Sequence, residues 1–404
     1  MPKSAQHWLS PARVRAYSTV VLLVSLIYAL PCAWAAWKMY REPGGFDFVT
    51  FWLASRLSLG GSPLAAYSYA SIQHVAQGIS PHFKVSGPWF YPPNFLLIVR
   101  PFALLPFPLA FLGFVTATTA IFVVLLRKAV PFPGVWLPIV AFPGLMVDAL
   151  QGQNACLTAS LMLGAILLLP KRPILAGVCI GMMSIKPHLA ILIPLALACA
   201  GMWTTFIAAA VTAILFTGAA IAVFGTAVIP AFLHALSEAN ADLASGMLPW
   251  PEMASAFAAL RVLHVAAPLA YAAQACEALV ATLAVGWVWR NSNELEVRAT
   301  ALVAGTFMVS PYVYIYDTAW LGIPIALLSA KAVRDGWLRW EREILCVAWL
   351  FPVVGEMSAY FLHAGIGPLV FASLMFVALR RTYRSRKVGV EGCQCLHAAP
   401  LTPR

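Results

Sequence analysis

The residues best suited to chemistry are few, and they stand at the ends of apolar runs. They are Asp47, the Gln151-Gly152-Gln153-Asn154 run, Lys186-Pro187-His188, and the stretch from Tyr312 to Asp317. Asp47 follows Gly44-Gly45 and begins a helical pattern, where the helix dipole favours an ionised carboxylate ready to accept a proton. The same position suits a helix N-cap, and the two roles are compatible. Lys186 offers a point charge to a phosphate where Pro187 frees backbone groups, although a lysine at an interface also snorkels toward headgroups. His188 adds a donor and Arg56 a second cation. Gln151, Gln153 and Asn154 carry many donors and acceptors, which suit a hydroxyl-rich ligand or lock a polar turn. Tyr91 and Tyr316 lie in proline-bent aromatic segments that anchor at interfaces or stack on sugar rings. Asp317 is expected to pair with Lys186 or Arg56, or to help position a substrate.

These residues need a scaffold, and the composition describes it. The 404 residues are 61% apolar and only 10% charged, with a mean hydropathy of +0.83. A soluble globule uses about 45–50% apolar residues. Runs near the roughly 20 residues that cross a bilayer recur along the chain. The expected fold is an all-α polytopic membrane protein of about 12 spans, residues 1–404 forming one integral membrane domain. The first run, near 17–37, follows Arg13 and Arg15, lacks a small-x-small cleavage site, and reads as a span that also targets the chain.

The net charge of +11 follows the membrane rather than a nucleic acid, and no nucleic-acid partner is expected. Of the 26 basic residues, 19 fall on one side when summed by loop; that side is read as cytoplasmic. Both termini come out there, and Asp47, Gln151–Asn154, Lys186 and Tyr312–Asp317 come out on the other. Arg380–Lys387, in a cytoplasmic tail over 380–404, suits anionic lipid headgroups. Six of the eight cysteines are scattered in apolar segments as small hydrophobes. Cys393 and Cys395 lie in the tail, where thiols stay reduced, and with His397 supply too few ligands for a metal.

Two outer segments are long, 38–93 and 225–265. In the first, Phe48, Phe51, Trp52, Ser55 and Leu59 share one helical face, expected to lie in the interface with its aromatic residues toward lipid. The second holds Trp250 between Pro249 and Pro251 and reads as another interfacial helix and a turn. Prolines 101, 106 and 108 break the 94–126 stretch into one kinked span or a short hairpin plus a span. Further spans are expected near 135–150, 153–169, 173–185, 188–202, 204–224, 266–289, 298–311, 317–330, 344–362 and 366–379. Several are short, which points to a cavity near one interface.

The spaced series Phe46-Asp47-Phe48, Trp52, Arg56-Leu57, Gly60-Gly61 to Pro63, Tyr91-Pro92-Pro93, Leu104-Leu105-Pro106, Gly152-Gln153-Asn154, Ala176-Gly177 to Lys186-Pro187 and Ser310-Pro311 to Tyr316-Asp317 resembles glycosyltransferase family 87. These are polyprenyl-phosphate-mannose-dependent mannosyltransferase-like proteins of bacteria. The resemblance covers roughly residues 44 to 330. It implies a GT-C-type fold, a lipid-phosphate sugar donor, a glycan or glycolipid acceptor, and a site facing the periplasm of the inner membrane. It implies Asp47 as base and Lys186 as phosphate contact. The chain departs after Ser310-Pro311, where tyrosines and Asp317 stand in place of a histidine.

That chemistry is expected to be an inverting transfer of a hexose, mannose first, without cofactor or metal, since no acidic cluster offers a metal site. His188 and Arg56 would join Lys186 on the phosphate. Tyr91, Gln151, Gln153, Asn154, Tyr316 and Asp317 would hold sugar or acceptor. The alternative reading is a transporter or flippase of a lipid-linked sugar that uses the same cavity without bond chemistry.

Overall fold

The computed structural model describes residues 7–40, 46–79, 85 and 87–397. Among them it is all-helical. The helices are α1 (Pro11–Tyr40), α2 (Phe46–Leu59), α3 (Tyr69–Ile79), α4 (Pro93–Val99), α5 (Phe107–Ala129), α6 (Trp136–Val140), α7 (Pro143–Gln151), α8 (Ala155–Leu168) and α9 (Pro173–Met182). They continue as α10 (Ile193–Cys199), α11 (Trp203–Phe224), α12 (Val228–Ser245), α13 (Ala256–Val262), α14 (Ala267–Asn291), α15 (Leu295–Val309), α16 (Gly322–Asp335), α17 (Glu341–Leu362) and α18 (Gly367–His397). The side chains of Cys393, Cys395 and His397 lie outside the described residues.

Among the described residues five helices are long and apolar enough to cross a membrane: Pro11–Pro31 within α1, Phe107–Ala129, Trp203–Phe224, Ala267–Asn291 and Glu341–Leu362. The stretches expected to cross near 135–150, 153–169, 173–185 and 188–202 form shorter apolar helices instead. Proline explains the interruptions. Pro143, Pro173 and Pro187 each stand at the first position of a new helix or turn, where a missing N–H costs nothing. The 94–126 stretch resolves as α4, a tight turn over Arg100–Leu104, and then α5.

The lipid-facing helices are recognisable because they leave apolar side chains uncovered. In α11, Ile207, Ile214 and Leu215 are each at least 60% exposed. The helices behind them are covered on all sides: α15 buries every residue from Val297 to Met308.

The aromatic face of α2 is turned the other way from expectation. Phe48, Phe51 and Trp52 are buried in protein, packed edge-on against Phe95, Phe102, Phe107, Phe111 and Phe114. Trp52 Nε1 donates to the Leu105 carbonyl at 3.0 Å. Lipid and protein interior are equally apolar, so periodicity alone does not separate them. Each aromatic pair adds about 0.5–1.5 kcal/mol to simple burial. The result fixes the helix that begins at Asp47.

The backbones of α9 and α11 approach closely. Gly177 and Gly181 are one helical turn apart, a spacing that lets helices touch in membranes. A Cβ on Gly177 would lie 2.5 Å from Ala208 Cβ, and one on Gly181 2.5 Å from Thr212 Cβ. This contact sets the height of the α9 end, which carries Lys186.

The chain ends of α8, α9, α15 and α16 give the molecule a polarity. Lys171 and Arg172 lie between α8 and α9, at the end remote from Asn154 and Lys186. Around the start of α15 and the end of α16, Lys331 Nζ meets Glu294 at 3.0 Å and Asp335 at 2.6 Å, and Arg334 pairs with Glu296. Arg381 on α18 forks onto Glu341 at 2.5 and 2.6 Å, the bidentate geometry guanidinium favours. The basic residues thus cluster opposite to the polar site described next.

Candidate active site

Four chain breaks converge. Gly152 ends α7 in the left-handed conformation (φ 68°), which costs a glycine little. The turn it makes presents Gln153 and Asn154. Asp148, one turn earlier, accepts from the backbone N–H groups of Ala155 at 2.9 Å and Cys156 at 3.0 Å. It therefore caps α8 from outside the usual N-cap position and holds the turn rigid. Below it, Trp320 Nε1 donates to Thr158 Oγ1 at 3.0 Å, locking α8 to the Ile315–Leu321 turn.

Asp47 enters at the N-terminus of α2. Gln153 Nε2 donates to Asp47 Oδ2 at 2.8 Å, and Tyr91 OH donates to Gln153 Oε1 at 2.9 Å. Gln153 is thereby saturated from both sides and its orientation is set. Burial raises the Asp47 pKa from its ordinary value; the Gln153 hydrogen bond and the Lys186 charge pull it back down. Causes of opposite sign act on one carboxylate, the pattern expected of a group poised to exchange a proton.

Lys186 lies where α9 gives way to the turn Pro187–Leu189, with φ −143° and ψ 71°. It is 3% exposed. Its Nζ donates to Asp317 Oδ1 at 2.5 Å and to Asn154 Oδ1 at 3.3 Å. The ring of Tyr316 stands 4.9 Å from Nζ and that of Tyr91 6.0 Å; ring faces favour a nearby cation. Asp317 itself caps the turn that carries it, accepting from Tyr314 N at 3.4 Å. Tyr314 and Tyr316 stack nearly parallel, centroids 5.1 Å apart.

The structure therefore brings Asp47, Tyr91, Gln153, Asn154, Lys186, Tyr316 and Asp317 into one connected set. His188 adjoins it, two residues beyond Lys186, with Nε2 buried and without a hydrogen-bond partner among the described residues. Gln151 ends α7 beside the set, half-buried. Arg56 stands apart. It lies nine residues along α2 from Asp47, is exposed, and stacks over Trp52 at 5.0 Å. Nine residues turn a helix by about half a revolution, so Arg56 and Asp47 face opposite ways. Among the described residues no three His, Cys, Asp or Glu side chains gather as metal ligands.

Glu252 joins the rim from the Trp250–Glu252 turn. An isolated antiparallel bridge ties Met253 to Tyr314, and Ala254 N donates to the Val313 carbonyl at 2.8 Å. Tyr360 OH donates to Glu252 Oε1 at 3.0 Å. Burial and, to a lesser degree, repulsion from Asp47 raise the Glu252 pKa, against that hydrogen bond. No local motif marks Glu252; only the backbone pairing brings it in. Asn94 was also without a signal beyond its neighbour Tyr91, yet its Nδ2 donates to Ser184 Oγ at 2.7 Å.

A half-buried carboxylate and a buried ammonium are thus joined through two adjacent amides. The model of glycosyltransferase family 87 matches residues 89–311, more than half of the sequence. The chain belongs to glycosyltransferase family 87. Tyr91, Gln151, Gln153, Asn154, Lys186 and His188 fall within the part matched to family 87; Asp47, Arg56, Tyr316 and Asp317 lie outside it. No curated protein and no solved structure matches the chain. Membership of family 87 makes the protein a glycosyltransferase, with a sugar donor and an acceptor as its substrates.

Proposed function

We propose that the protein transfers a hexose, mannose first, from a polyprenyl-phosphate-linked donor to a glycan or glycolipid at the outer face of the bacterial plasma membrane, on a GT-C-type scaffold. The observation that carries this reading is the Gln153-Asn154 pair. It ties Asp47 and Lys186 into one site while keeping their charges on separate partners.

In this reading the acceptor hydroxyl gives its proton to the Asp47 carboxylate as its oxygen forms a bond to the anomeric carbon. The anomeric carbon–phosphate oxygen bond breaks, and the phosphate leaves with the electron pair. A single displacement inverts the anomeric centre. Positioned general bases contribute about 10²–10⁴-fold. As the donor phosphodiester becomes a monoester it gains charge, and Lys186 stabilises that charge. Asp317 already holds the ammonium, so the departing phosphate competes with Asp317 for it. His188 lies close enough in sequence to share the phosphate; Arg56, exposed on the side of α2 away from Asp47, has no part in this reading. The stacked Tyr314 and Tyr316 rings and Tyr91 supply flat faces to the sugar, and Gln151 and Gln153 supply polar contacts to sugar or acceptor.

The orientation rests on charge. The site lies at the end of α8, α9, α15 and α16 opposite to the basic cluster, and basic loops stay in the cytoplasm. Purified protein incubated with polyprenyl-phosphate-mannose or -glucose and membrane extract is expected to release polyprenyl phosphate. Binding of the donor with no release from either would favour movement of a lipid-linked sugar without bond chemistry.

A further inference from the structure

We propose that Asn94 is a specificity-determining residue whose carboxamide oxygen accepts a hydrogen bond from a hydroxyl of the transferred sugar. The inference rests on the donor reading given above. Asn94 is 1% exposed and sits in the first turn of α4, directly after Pro92-Pro93. Its Nδ2 is used by Ser184, but its Oδ1 is buried and has no partner among the described residues.

Two other polar atoms near the Ser184–His188 segment share that condition among the described residues. Asn154 is fully buried; its Oδ1 holds Lys186 while its Nδ2 is unpaired. His188 Nε2 is unpaired as well. Ser184 holds Asn94, Lys186 holds Asn154, and His188 follows two residues later, so the three unpaired atoms are all carried by or bound to one five-residue segment. Protein interiors pair nearly every polar group, and an unmade bond there is costly. A group of them at one segment fits a ligand that completes the bonding.

The chemistry of the atoms sorts that ligand. Asn154 Nδ2 only donates, which suits a phosphate oxygen beside Lys186. Asn94 Oδ1 only accepts, which suits a hydroxyl. A hexosyl phosphate presents both. The start of α4 is also tied to both charges of the site. Tyr91, three residues before Asn94, donates to Gln153, which holds Asp47. The proposal puts Asn94 on the sugar side, and a donor stripped of its sugar has nothing to offer it.

The test compares two lipids on one variant. Asn94→Leu with Ser184→Ala removes both hydrogen-bonding partners together, which leaves no polar orphan. The expected results are a Tm equal to or above that of the wild type, and affinity for polyprenyl-phosphate-mannose weakened about tenfold, as for one hydrogen bond of about 1.4 kcal/mol. Affinity for polyprenyl phosphate stays unchanged. Asn94→Ala gives the same comparison where the double variant does not fold. Unchanged affinity for both lipids, or equal loss for both, overturns the assignment while leaving the donor reading intact. Wild-type protein that binds neither polyprenyl-phosphate-mannose nor -glucose overturns both.

Discussion

Gln153 and Asn154 are adjacent in the chain, yet their side-chain amides serve opposite charges. Gln153 donates to the Asp47 carboxylate at 2.8 Å, while Asn154 accepts from the Lys186 ammonium at 3.3 Å. The peptide bond between them links the acid to the cation.

A pH dependence follows from this arrangement. Asp47 must be ionised to accept a proton, and burial raises its pKa above the ordinary carboxylate range. Its basic form is therefore lost as pH falls through that raised value. The acid limb of kcat/KM is expected above that of an ordinary aspartate. Gln153→Ala removes a hydrogen bond that lowers the pKa, so the limb should move to still higher pH. A pH–rate profile checks this; a limb moving downward would contradict it.

Asp47→Asn separates chemistry from binding. The amide accepts the Gln153 hydrogen bond as the carboxylate does, and it removes a desolvated charge. Donor binding and Tm should hold or rise, while kcat falls by about 10²-fold or more. Single-turnover release of polyprenyl phosphate and a lipid-binding assay measure the two effects side by side. Wild-type kcat in this variant would remove Asp47 from the mechanism.

The Lys186–Asp317 pair makes a different prediction. Both side chains are buried, and removing one partner strands the other. Lys186→Met should cost about 3–5 kcal/mol of stability, whereas Lys186→Met with Asp317→Leu should recover most of it. Neither variant should turn over donor. A double-mutant cycle on thermal unfolding in detergent reads the coupling. Additive losses would mean that the pair contributes nothing jointly.

Packing behind the site is testable through glycine. Gly181→Leu drives a side chain into Thr212 and the Ala209 carbonyl, and overpacking typically costs about 1–3 kcal/mol. Gly218 in α11 has open space around its Cβ position, so Gly218→Ala should be tolerated. The two Tm values, measured in one detergent, check the contrast.

Much of this could be anticipated from residue types. Charges such as Asp47 and Lys186 stand out in apolar sequence because membrane depth makes them expensive. Pro187 marked one break, whereas the break at Pro143 falls inside the span expected near 135–150 and was not read. Other features left no trace. Asn94 and Ser184 are ordinary small polar residues, and only folding brings them together. Asp148 caps a helix seven residues away, beyond the reach of an N-cap rule. Lipid and core select the same residues, so the direction faced by Phe48 and Phe51 was hidden. Arg56 looked like a partner for phosphate because sequence distance says little about which side of a helix a residue takes.

The glycine contact between α9 and α11 carries a mechanical consequence. α11 is 22 residues long and half of its residues are exposed, so its tilt answers to bilayer thickness. Backbone touching backbone at Gly177 and Gly181 leaves no side chain to absorb that tilt. Thin and thick membranes would therefore seat Lys186 at different depths, which makes acyl-chain length in reconstituted vesicles a control on turnover.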